Sequence, residues 1–198
     1  MAKYETFLLQ NSKEFEIFRK MAQRNNVRSY LEIGSKMGGS LWRMANSLPV
    51  GSRVVSVDLP HGDRSFKESA PHLKACIDHL RMRGYDPYLF LTDSTDEDTV
   101  EAVRELGPFD LCLIDANHTE PYVRKDFANY GPMSKIIAFH DISFVPEPNR
   151  DSKKLPIDVP KVWRELKEKH PEYSYAEICH HKNENGIGVL WRDPSSRL

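Results

Sequence analysis

The sequence predicts an α/β fold with a mostly parallel, seven-stranded sheet, helices on both faces and an antiparallel strand pair at the C-terminal edge. Three observations carry that prediction. Short apolar runs alternate with amphipathic segments five times between Arg28 and Asp141, the pattern of repeated strand–helix–strand units. The first run leads into Tyr30-Leu31-Glu32-Ile33-Gly34-Ser35-Lys36-Met37-Gly38-Gly39-Ser40, which reads as a buried strand, a tight glycine turn and a helix start. Finally, Gly34, Asp58, Asp93, Asp115, His140 and Asp141 all fall at the carboxyl ends of the expected strands, where open α/β sheets bind their ligands.

Taken in order, Asn11 to Asn25 is expected to be a helix, with Asn11 and Glu14 as a capping box and Phe15, Phe18 and Met21 on one face. The first strand runs from Arg28 to Ile33. Gly34 and Gly38 remove Cβ where the backbone must bend or approach something closely, and Ser40 is expected to cap the helix carrying Leu41, Met44 and Leu48. The second strand, Arg53 to Asp58, precedes a polar loop over Leu59 to Ala70 and a helix over Leu73, Cys76, Ile77 and Leu80 that stops at Gly84. The third strand is Tyr88 to Thr92. Thr95 is expected to cap the next helix, whose first turn holds Asp96, Glu97 and Asp98, as the helix dipole prefers. The fourth strand is Phe109 to Asp115, followed by a helix with Val123, Phe127 and Tyr130. The fifth is Lys135 to Asp141. Ser143 to Pro160 is too long and proline-rich for an ordinary connection and reads as a lid over the site. A helix from Val162 to His170 and strands Tyr173 to Cys179 and Gly186 to Trp191 complete the chain.

With 198 residues, the expectation is one domain over 1–198, with an N-terminal helical segment at 1–27 and the active-site loop at 143–160. Charged residues make up 29% and the formal net charge is -1, so nothing marks a nucleic-acid surface. No apolar run is long enough for a membrane span, and the charged first 30 residues lack a signal core. The three cysteines, Cys76, Cys112 and Cys179, show no pairing pattern and read as reduced core residues of a cytoplasmic protein.

The strand-end residues are where chemistry is expected. Asp58 lies 24 residues after Gly34; its carboxylate can accept hydrogen bonds from ribose hydroxyls, the alternative being a solvated strand-end acid. Asp93-Ser94 can meet an adenine edge or cap the following helix. Asp115 and Asp141 end adjacent strands, and paired carboxylates suit a hard cation such as Mg²⁺. His140 could join them, widening the choice to Mn²⁺ or Fe²⁺, or could be a hydrogen-bonded residue at the sheet end. His118, three residues past Asp115, can act as a general base near neutral pH.

On these residues the chain resembles a class I S-adenosylmethionine-dependent methyltransferase of Rossmann-like fold. Within that group it is similar to the metal-dependent macrocin and mycinamicin sugar O-methyltransferases and their cephalosporin-biosynthesis and rhamnosyl relatives. The resemblance covers Tyr30 to Asp141 closely and Gly186-Ile187-Gly188-Val189-Leu190 loosely. It implies that Glu32, Gly34, Ser35, Gly38, Gly39 and Ser40 hold the methionine part of the cofactor, Asp58 the ribose and Asp93-Ser94 the adenine. The Ile-Asp-x-x-His pattern falls on Ile114-Asp115-Ala116-Asn117-His118, which implies Asp115 as metal ligand, beside the cofactor, and His118 as catalytic base. An acidic pair usually follows the fifth strand of such enzymes; here it is His140-Asp141, giving Asp115, His140 and Asp141 as the metal set.

The implied function is S-adenosylmethionine-dependent, divalent-metal-assisted methyl transfer to a hydroxyl of a small molecule or sugar. The implied partners are that acceptor and no nucleic acid or membrane, with homo-oligomerisation left open. Two other readings use the same strands: a nicotinamide-dependent oxidoreductase, whose glycine spacing differs, and a cofactor-binding module without catalysis.

Overall fold

The computed structural model describes residues 4, 7–60, 69–145, 156–180 and 185–192. Seven strands form one sheet: β1 (Ser29–Ile33), β2 (Arg53–Asp58), β3 (Asp86–Leu91), β4 (Phe109–Ile114), β5 (Ser134–His140), β6 (Ser174–Ile178) and β7 (Ile187–Trp191), in the order β3-β2-β1-β4-β5-β7-β6. Strands β1 to β5 are parallel; β7 runs antiparallel to both β5 and β6. The order reverses beside β1, the switch point where such sheets open a crevice. Ile33 pairs with both Val57 and Ile114, and Ile114 with Phe139, so four strands end at one level.

Helices α1 (Ser12–Arg24), α2 (Gly39–Ala45), α3 (Ser69–Met82), α4 (Glu97–Leu106), α5 (Glu120–Tyr130) and α6 (Val159–Lys169) cover the two faces, with a short 3₁₀ turn at Gly131–Met133. Alternate strand residues point to opposite faces, which divides the core in two. Tyr30, Val54, Leu111 and Leu113 pack with Phe15, Phe18, Leu41, Met44, Leu73 and Leu80 of α1, α2 and α3. Leu31, Ile33, Val55, Cys112 and Ile137 pack with Val100, Val103, Val123, Val162 and Trp163 of α4, α5 and α6. The ring of Trp163 lies 2.8 Å from where a Cβ on Gly188 would stand, so glycine in β7 lets this indole lie flat on the sheet.

Several local expectations are corrected. The cap of α2 is Gly38, at φ +84, and not Ser40. The cap of α4 is Asp96, whose side chain accepts from the Thr99 amide, and not Thr95. Asn11 does cap α1, accepting from the amides of Lys13 and Glu14, but Glu14 does not return the bond. It is fully buried and accepts from the amides of His180 and Gly186, tying α1 to the link between β6 and β7. Strand β3 begins two residues early and includes Pro87, which an edge strand tolerates. Helix α6 starts at Val159, with Pro160 in its first turn, where its missing N–H costs nothing. The expected loop therefore ends sooner, and its stretch 146–155 lies outside the described residues. Cys76 and Cys112 are buried, but Cys179 is exposed. Among the described residues, no helix is long and apolar enough to cross a membrane.

Candidate active site

The turn after β1 is held from three sides. Gly34, at φ +89, donates from its amide to the Val57 carbonyl at 2.8 Å. Lys36 takes the left-handed conformation, at φ +51, that the sequence left without a glycine. Asp58, at the end of β2, accepts the amide of Ser35 at 2.7 Å and that of Lys36 on the same oxygen. Burial pushes the Asp58 carboxyl up, against the pull of these amides and that of Leu59. The acid expected to face a ribose thus fixes the turn first of all.

Beneath the turn, Glu32 is fully buried and accepts from the Tyr30 hydroxyl at 2.5 Å and the Ser40 hydroxyl at 2.7 Å. Burial pushes its carboxyl up to about 7, with the hydrogen bonds from Ser40, Tyr30 and Ser35 acting the other way. Ser40 therefore serves Glu32. Gly38 rests on Cys76 and Leu73, at 3.1 and 3.2 Å from a would-be Cβ, which seats α2 against α3.

Farther along the same edge, Asp93 accepts from both the amide and the hydroxyl of Thr95 at 2.8 Å, closing an Asx turn. The Ser94 hydroxyl donates to Asp126 at 2.8 Å, and the Tyr130 hydroxyl donates to the Ser94 carbonyl at 2.6 Å. Asp126 is fully buried, which pushes its carboxyl up to about 7.

The ends of β4 and β5 bring four titratable side chains together. Asp115 Oδ1 lies 3.2 Å from His118 Nε2 and 3.2 Å from His140 Nδ1. Asp141 lies 3.5 Å from His118 Nδ1 and 3.3 Å from His140 Nδ1. Asp141 sits one residue past β5 at φ +64, a conformation uncommon outside glycine but tolerated by aspartate. Burial works to raise the Asp115 carboxyl, but the charge of His140 and the bonds from both histidines outweigh it and hold it well below the usual range. Burial works to lower the imidazoles; Asp115 and Asp141 win, raising His118 and bringing His140 to about 9.

Donor atoms of Asp115, His140 and Asp141 all lie within 4.8 Å of one another. Two carboxylates and an imidazole at that separation fit a divalent cation such as Mg²⁺ or Mn²⁺. The ring nitrogen of His140 that faces both carboxylates is Nδ1, while Nε2 is buried with no hydrogen-bond partner among the described residues. The Asp158 amide donates to the His118 carbonyl, and its carboxylate accepts from the Glu120 amide, so the end of the long loop is tied beside His118.

Sequence reasoning missed two contributors. Gln10 Nε2 donates to Asp115 Oδ2 at 2.6 Å, a contact spanning 105 residues that no local pattern could reveal. Asp126 is the other; a carboxylate on the same helix side as Val123 and Tyr130 is the available signal.

Residues 31–142 match the methyltransferase-domain family, and the chain belongs to it. It is a methyltransferase. This displaces the oxidoreductase reading of the same sheet. Comparison with curated proteins finds no significant match. Solved structures share the fold at low identity. The O-methyltransferase TomG of Streptomyces achromogenes, involved in tomaymycin synthesis and solved with S-adenosylmethionine, superposes with a TM-score of 0.65 at 15% identity, over 96% of this chain and 86% of that one. The Bacillus cereus O-methyltransferase, solved with S-adenosylhomocysteine, gives 0.66 at 19% identity, over 91% and 81%. The methyltransferase PaMTH1 of Podospora anserina, solved with S-adenosylhomocysteine, gives 0.64 at 15%, over 93% and 80%.

Proposed function

We propose that this chain is an S-adenosylmethionine-dependent O-methyltransferase, assisted by a divalent cation, acting on a hydroxyl of a small molecule or sugar. The observation that carries the reading is the adjacency of the glycine turn and the acid–histidine quartet: the turn at Gly34 abuts the backbone of Asp115. The fold neighbours solved with S-adenosylmethionine or S-adenosylhomocysteine support the choice of methyl donor. The motif resemblance supports a place beside the metal-dependent macrocin and mycinamicin sugar O-methyltransferases.

In this reading the methionine end of the donor lies on the turn from Gly34 to Ser40, Asp58 uses its remaining acceptor capacity for the ribose, and Asp93-Ser94 borders the adenine. Asp115, His140 and Asp141 would hold the cation. When bound, the donor supplies a methyl group already activated on sulfur, and the cation lowers the pKa of the acceptor hydroxyl. The residues of the chain align the two reactants, a contribution of roughly 7–11 kcal/mol where the geometry is right. His118 takes the acceptor's proton. Its two carboxylate neighbours raise its pKa, so engaging them in a cation would free it to accept at neutral pH.

Calorimetric titration tests the reading. S-adenosylhomocysteine should bind and NAD should not, and Mg²⁺ or Mn²⁺ should bind to the wild type and far less to Asp141→Asn. A chain that binds S-adenosylhomocysteine yet methylates no hydroxyl in a broad acceptor panel would favour the non-catalytic module.

A further inference from the structure

The segment before α1 lies against the site and touches it twice. The main chain of Phe7 is seated on Gly39: a Cβ there would stand 1.3 Å from the Phe7 carbonyl oxygen and 2.5 Å from its carbon, so this approach requires glycine. Three residues on, Gln10 donates to Asp115. Beyond them Tyr4 is buried, its ring 5.1 Å from that of Trp42 in α2 and its hydroxyl hydrogen-bonded to His79 of α3.

These contacts divide the labour of the Asp115 carboxylate. Oδ1 faces His118 and His140, and Oδ2 is held by Gln10. A neutral amide suits this place: it fixes the carboxylate plane without adding a positive charge that would compete with a cation. We infer that Gln10 is a positioning residue for the Asp115 ligand, carried by a strap, residues 7–10, whose closure on Gly39 and cation binding at Asp115, His140 and Asp141 favour one another. The inference rests on the cation reading proposed above. Groups hydrogen-bonded behind a metal ligand orient it, and losing one typically weakens metal affinity 10–100-fold. The coupling is reciprocal: if closure tightens the cation, the cation must hold the strap closed by the same factor.

The test is Mn²⁺ titration of the full chain, read by the paramagnetic resonance of free Mn²⁺, with hydrogen exchange at the amides of residues 7–10. Gln10→Leu removes the bond to Asp115. Gly39→Ala unseats the strap while leaving Gln10 and Asp115 intact. Both variants should bind Mn²⁺ more weakly, Gln10→Leu by about 10–100-fold. Mn²⁺ should slow exchange across the strap in wild type and not in Gln10→Leu. Mn²⁺ affinity within about twofold of wild type in Gln10→Leu, or strap exchange indifferent to Mn²⁺ in wild type, would overturn the inference and leave the cation reading standing. A folded wild type that binds no Mn²⁺ would overturn both. Gln10 is only half-buried, so its variant should fold and decide the matter even if Gly39→Ala does not.

Discussion

Gly34 lies so close to Asp115 that a Cβ on the glycine would stand 2.4 Å from the aspartate's carbonyl oxygen. The residue that opens the turn after β1 is thus packed against the residue that ends β4, and neither can move without the other. Gly34 also has φ +89, which other residues adopt only with strain. Gly34→Ala should destabilise the fold by about 1–3 kcal/mol from the conformation alone, with the backbone clash added. Urea unfolding measures this, and a loss below about 0.5 kcal/mol would show that the turn relaxes freely.

Asp58 carries a prediction that separates two roles. Its bonds to the amides of Ser35 and Lys36 are charge-assisted, and each such bond contributes about 1.5–3 kcal/mol. Asp58→Ala should therefore lower both the melting temperature and the affinity for S-adenosylhomocysteine. If calorimetry shows unchanged affinity in a variant that melts earlier, Asp58 serves the turn alone and the ribose has another partner.

The fold was legible because its signals are local. Alternating apolar runs located the strands, and residues ending them, Asp58, Asp115 and His140, do converge along one edge because β1, β2, β4 and β5 end in register. What escaped was set by tertiary contact. Ser40 looks like a helix cap, yet its hydroxyl turns inward because fully buried Glu32 needs a donor. Glu14 looks like half of a capping box, yet it is drawn to the amides of His180 and Gly186, more than 160 residues away. Thr95 and Asp96 are both good caps, and only the path of the chain decides that Asp96 takes the role. Gln10 could not be read at all, since only folding brings it to Asp115.

Protonation of His140 predicts a pH dependence in metal-free protein. Its pKa is about 9 when folded, against an ordinary value of 6.5. Between those values the folded chain binds more protons than the unfolded one, so stability falls as pH rises. The contribution is fully present below pH 6.5 and lost as pH passes about 9, with a slope of at most about 1.4 kcal/mol per pH unit. Glu32 and Asp126, both near 7, act in the same direction but are largely titrated by about pH 8, which leaves roughly pH 8 to 9 as the informative window, shared with His118. Urea unfolding in EDTA should show this slope in wild type and a flatter one in His140→Gln. Equal slopes would mean that His140 is neutral in the folded protein.

The quartet at the ends of β4 and β5 separates metal binding from proton transfer. Asp141 can face a cation shared with Asp115, while His118 is the more solvent-accessible of the two histidines, with its side chain 28% exposed against 5% for His140. Accessibility matters because a base must reach an acceptor hydroxyl, whereas a ligand need reach only the ion. Asp141→Asn should weaken Mg²⁺ or Mn²⁺ binding and leave S-adenosylhomocysteine binding nearly intact, since the glycine turn does not depend on it. His118→Ala should keep both ligands bound and slow methyl transfer by about 10²–10⁴-fold, the loss typical of a general base. The pH–rate profile adds a check that a structural role would not pass: the acidic limb should vanish in His118→Ala, because it reports the imidazole that must be neutral to accept. His140→Ala should lower metal affinity, because its Nδ1 faces both carboxylates of the set. Full methyl transfer in excess EDTA would remove the cation from the mechanism and leave His118 acting alone as the base.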